Sequence, residues 1–99
     1  MSNETEKFDK LEEQFKLEKS QVNRQSIAKE QIAILKKVQM QLVEEAKKRG
    51  VSLNSYNFLE AMMEQYKGMK QIAERAGLET HQYDEIINKI KYKMFGKNV

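Results

Sequence analysis

Residues 27–51 read IAKEQIAILKKVQMQLVEEAKKRGV, and this stretch decides the fold. Ala28, Ile32, Leu35, Leu42 and Ala46 recur at alternating four-and-three spacing, interrupted only at Gln39, while Ile27, Ile34 and Val38 widen the stripe. Such a period of about 3.6 predicts an amphipathic α-helix whose apolar face must be covered by something else. Arg49-Gly50-Val51 then has the form of a Schellman stop, with glycine one place past the helix end and an apolar residue after it.

Toward the N-terminus the pattern thins. Phe8, Leu11, Phe15 and Val22 follow a loose heptad, Asp9 and Glu12 are spaced as a capping box, and the polar run SQVNRQS (20–26) interrupts the stripe. The reading is one long helix from Phe8 to Arg49, broken or hinged at 20–26 with Ser20, Asn23 or Ser26 as a second N-cap. Unbroken, it would run about 60 Å, longer than a compact domain of this size is wide, so it bends or pairs outside its own chain. Residues 1–26 are therefore expected to be a polar, weakly packed helical segment, and 27–99 the helical domain.

On the C-terminal side, a short loop through Ser52, Asn54 and Ser55 leads to a second helix, with Asn57 and Glu60 as its capping box. Phe58, Leu59, Met62, Tyr66, Met69, Ala73 and Ala76 share one of its faces, and Gly68 is expected to weaken it midway. Arg75-Ala76-Gly77-Leu78 repeats the stop signal. A last helix from near Thr80 presents Tyr83, Ile86, Ile87, Ile90 and Met94, so 52–95 forms a helical hairpin or three-helix unit. The fold class is all-α: a long N-terminal helix with a C-terminal hairpin, in a small bundle of coiled-coil character.

Composition agrees and narrows function. Ninety-nine residues supply one small core, the absence of Pro and the presence of only four Gly argue against turn-rich β folds, and the absence of Cys removes disulfides and thiolate metal sites. With 33% charged residues and a mean hydropathy of −0.81, the apolar stripes are too narrow for membrane binding, and no leader segment is visible; a cytoplasmic location is expected. The net charge of +3 is concentrated at the end, where Lys89, Lys91, Lys93 and Lys97 follow one another without an acid.

Residues 71–87, QIAERAGLETHQYDEII, resemble a helix-turn-helix: Ala73 is the small residue at the crossing, Gly77 the turn, Leu78 its anchor, and Tyr83 and Ile86 the inward positions of the second helix. The resemblance covers about 20 residues and implies a second helix in the major groove, with Thr80, His81 and Gln82 toward base edges and Lys89 and Lys93 near phosphates. Two features favour a plain helical connection. The same glycine-apolar stop occurs at Gly50-Val51, where no reading helix follows, and Glu79, Asp84 and Glu85 would be repelled by phosphates unless turned away.

No catalytic constellation stands out. His81 is the only histidine, whereas a metal site needs three or four converging ligands, and the adjacent acids Glu12-Glu13 and Glu44-Glu45 point about 100° apart on a helix. No cofactor is expected. The leading expectation is a non-catalytic protein-interaction module, a small adaptor, chaperone or inhibitor, forming a homodimer or binding a protein partner through Ile32, Leu35, Val38 and Leu42. The alternative is a dimeric DNA-binding regulator using residues 71–93.

Overall fold

The computed structural model describes residues 3–96 and contains, among them, four helices and no strand: α1 (Asn3–Leu17), α2 (Gln21–Lys48), α3 (Tyr56–Arg75) and α4 (His81–Phe95). Each helix packs on the next in chain order. One core, built from Leu11, Phe15, Ile27, Ile34, Met69 and Ile72 among others, joins α1, α2 and α3 and takes Tyr83 from α4. A second core, of Leu59, Met62, Met63, Ile87 and Ile90, closes the α3–α4 hairpin.

The long first helix is two helices. Backbone hydrogen bonding runs to Glu18, whose N–H reaches the Gln14 carbonyl at 2.9 Å, and Ser20 is extended at φ −76° and ψ 126°. Ser20 caps α2, its hydroxyl accepting from the Asn23 amide at 3.4 Å, and Arg24 donates to the carbonyls of Phe15 and Glu18, each at 3.2 Å. A cationic side chain thus closes the C-terminal end of α1. The break falls at the front edge of the polar run, where the sequence placed it.

The expectation of a weakly packed segment before residue 26 is corrected. Leu11 and Phe15 are 6% and 4% exposed, because their three-to-four spacing lays them together against Ile27 and Ile34 once α1 folds back on α2. Two caps also differ. Asp9 and Glu12 lie inside α1, which begins by Asn3, and Ser55, not Asn57, caps α3 by accepting from the Phe58 amide at 3.3 Å. Gly68 does not divide α3, which is continuous past it, and an added Cβ there would meet Leu35 at 4.0 Å.

Both glycine stops form as read. Val51 N–H bonds the Ala46 carbonyl and Leu78 N–H the Ala73 carbonyl, each at 2.9 Å, with Gly50 at φ 72° and Gly77 at φ 76°. The second is further fastened by α2, since the Gln21 and Gln25 side-chain amides donate to the Ala76 carbonyl at 2.7 and 3.2 Å. The polar run that breaks the apolar stripe is therefore also the clamp on the α3–α4 turn.

Candidate functional site

Polar side chains converge at one place, where α1, α2 and α3 meet. Arg75 of α3 makes a two-pronged ion pair with Glu12 of α1, Nη1 to Oε2 at 2.8 Å and Nη2 to Oε1 at 2.6 Å, and donates to Gln31 Oε1 at 2.8 Å. Gln31 is fully buried and returns a hydrogen bond to Glu12 Oε1 at 3.0 Å. The Arg75 and Arg24 guanidinium carbons each lie 3.9 Å from the centroid of the Phe15 ring. Hydrogen bonds from Arg75 and Gln31 hold the Glu12 carboxyl down from its ordinary 4.5 to about 2. Every partner here is satisfied and fixed, which makes this a joint between three helices. Sequence reading missed it because its three main members are 19 to 63 residues apart.

The turn between α3 and α4 separates the two helices, with Ala73 1% exposed and Tyr83 buried. Thr80 is half-buried and makes no side-chain cap, and His81 and Gln82 are exposed at the start of α4. Gln82, Lys89 and Lys93 fall on one exposed stripe of α4, with Glu85 among them. An open groove of about 460 Å³ beside the stripe is lined by Lys29 and Lys36 of α2 together with Leu78, Glu79 and Gln82. The neighbouring acids remain close: Glu79 lies 3.2 Å from His81 Nδ1, and Asp84 2.6 Å from Lys70 Nζ. That hydrogen bond from Lys70 to Asp84 raises the lysine's pKa above its ordinary 10.5. Lys97 lies outside the described residues.

The predicted partner residues on α2 separate by depth. Ile32 is 7% exposed and belongs to the chain's own core, and Leu35 and Val38 are half-buried beside Phe8 of α1. Leu35 and Val38, partly covered by α1, line an open groove of about 240 Å³ together with Phe8. Leu42 is more open, at 38% exposed.

The cause is a length mismatch. At 1.5 Å per residue, α1 spans about 22 Å and α2 about 42 Å. The Glu4–Lys37 ion pair at 3.1 Å places the first turn of α1 beside the middle of α2. Among the described residues, the last turns of α2 pack on α3 alone. Met40, Leu42, Val51, Tyr56, Tyr92 and Phe95, six of the eight exposed large apolar residues among those described, lie at this end of the molecule. The Tyr56 and Phe95 rings meet edge to face at 5.8 Å, which joins the start of α3 to the end of α4. Two grooves open here. One, of about 500 Å³, runs past Leu42, Val51, Phe58 and Ala61, and the other, of about 380 Å³, past Met40, Val43 and Tyr66.

Among the described residues no group of His, Cys, Asp or Glu is placed to hold a metal ion, and no helix is long and apolar enough to cross a membrane. No protein-family model, curated protein or solved structure matches the chain.

Proposed function

We propose that this protein is a non-catalytic, cytoplasmic interaction module that works through the apolar end formed by the last turns of α2, the start of α3 and the end of α4. One observation carries the reading: among the described residues the last turns of α2 pack on α3 alone, and exposed apolar side chains lie along that end. Exposed large apolar residues gathered in one region of a surface mark contact sites on proteins. Met40, 64% exposed, adds a flexible side chain able to repack around different partners. The test is affinity capture from native lysate with the wild type and with Leu42→Glu in parallel. A protein retained by the first and lost by the second supports the reading; equal retention by both, or none by either in a chain that also does not self-associate, removes it.

The groove beside Gln82 favours a second reading, DNA binding, because Lys29 and Lys36 of α2 extend the basic stripe of α4. Its signature is electrostatic. Affinity in a mobility-shift titration falls steeply between about 50 and 200 mM salt as counterions are released from phosphates. Lys89→Ala and Lys93→Ala weaken all sequences alike, whereas Gln82→Ala costs about 1–3 kcal/mol on a preferred site only. No shift at about 10 μM protein in low salt overturns it.

A further inference from the structure

We infer that the groove between α2 and the start of α4 is a binding site for a small amphipathic anion, a carboxylate on a short apolar tail. The site is separate from the apolar end, so the interaction reading above does not depend on it. Three features of the groove point to such a ligand: an apolar floor, a buried hydroxyl left without a partner, and a cationic wall.

The floor reaches the first core, because Ile32 and Ala73 are buried and Leu78 is half-buried beneath the opening. Small residues give it depth, since Ala33 of α2 and Ala73 of α3 carry nothing beyond Cβ. Its volume of about 460 Å³ lies within the roughly 300–1,000 Å³ of small-molecule sites. Tyr83 is 6% exposed and lines this groove, yet its hydroxyl makes no hydrogen bond among the described residues. Nor is that hydroxyl sealed inside, since Gln65 Oε1 is the only side-chain atom among the described residues that is both buried and unpartnered. A tyrosine hydroxyl at this depth ordinarily finds a partner, so this one is left to donate to a group in the groove.

Charge places the head group. Lys29 and Lys36 stand on the α2 wall two turns apart, about 10.5 Å along the axis, with Ala33 between them. Neither makes an ion pair among the described residues, whereas the adjacent Lys37 is held by Glu4 at 3.1 Å. Their long stems lean over the small Ala33 and bring two ammonium groups toward one anion. The opposite wall carries Gln82 and Glu79, and the Glu79 carboxylate lies 3.2 Å from His81 Nδ1. A ligand carboxylate is therefore drawn to the α2 side, and its tail runs over Ala73 and Leu78. An extended polyanion would meet Glu79 and leave the apolar floor unused, and a wholly apolar ligand would leave both lysines and the Tyr83 hydroxyl unused.

The test is a titration of sodium decanoate, kept below its micelle concentration, into the full chain with backbone amide NMR as the readout. The wild type is expected to show saturable shifts at residues 29–36, 73 and 78–83. Decyltrimethylammonium, with the same tail and the opposite charge, leaves those amides unmoved. Replacing both lysines, Lys29→Ala with Lys36→Ala, weakens binding at least about ten-fold, and Tyr83→Phe weakens it about five-fold. Ala33→Leu fills the groove and abolishes binding while circular dichroism and melting temperature are retained, because Ala33 is exposed and leucine is nearly as favourable in a helix. No saturable shift by about 5 mM decanoate, equal shifts with decyltrimethylammonium, or unchanged affinity in the lysine and tyrosine variants overturns the inference. Decanoate shifts confined to residues 40–51 and 56–62 overturn this site and leave the interaction reading standing. Shifts at the groove with duplex DNA but none with decanoate overturn it in favour of DNA binding.

Discussion

Glu12, Gln31 and Arg75 show how a charged pair is held at the edge of a helical core: its hydrogen bonds are matched to the buried Gln31, and the ring of Phe15 lies against two guanidinium groups. Because the folded state holds the Glu12 carboxyl near 2, below its ordinary 4.5, its contribution is complete above about pH 4.5 and is lost as pH falls toward 2. Chemical denaturation between pH 6 and 2.5 should therefore show a steeper acid loss for the wild type than for Glu12→Gln. At pH 6 the variant should be less stable by about 1–2 kcal/mol, a figure reduced for the partial exposure of the pair. Parallel acid limbs for the two proteins would contradict this. At Gln65 the opposite holds, since its Oε1 is buried without a hydrogen-bond partner among the described residues. Replacing it with an apolar side chain of similar length removes an unsatisfied acceptor, so Gln65→Met should raise the free energy of unfolding by about 1 kcal/mol. A lower melting temperature for Gln65→Met would contradict that.

The helix ends carry the topology, and they differ in what holds them. Gly50 and Gly77 occupy the same left-handed position, at φ 72° and 76°. A Cβ at Gly50 meets nothing within 4 Å, whereas at Gly77 it comes to 3.0 Å from the Gln21 amide nitrogen, which is hydrogen-bonded to the Ala76 carbonyl. Gly50→Ala should cost about 1 kcal/mol from backbone conformation alone. Gly77→Ala adds the displaced clamp, for a total of about 2 kcal/mol. Equal melting temperatures for the two variants would show that the clamp contributes nothing. These stops were legible because glycine followed by an apolar residue is a local signal. The division of the first helix was legible only in part. Ser20 was one of three candidate caps, but the Arg24 contact to the end of α1 is made across the break, and periodicity alone does not report it. The capping boxes at Asp9 and Asn57 failed for a related reason: spacing matches them, and neighbouring residues start the helices earlier.

At the scale of the molecule, the all-α class followed from apolar period and from the absence of proline, and the α3–α4 hairpin from the two stops. The position of the exposed apolar residues did not follow. The apolar face of α2 was visible in the sequence, but whether α1 or another chain covers it depends on how far back α1 folds. Phe8, Leu11 and Phe15 reach Ile27 through Val38, and the face beyond is left open. Of the four residues named from sequence, Leu42 alone lies there; Met40 and Val51 were not placed with it because neither continues the stripe, nor were Tyr56 and Phe95, which lie 39 residues apart. The most direct test of the account is amide hydrogen exchange with the captured partner titrated from about 0.1 to 100 μM, without and with duplex DNA. The account predicts rising protection in residues 40–51 and 56–62 as partner increases, with residues 80–93 unchanged by partner or by DNA. Protection confined to 80–93 on adding duplex, with 40–62 indifferent to partner, would contradict it.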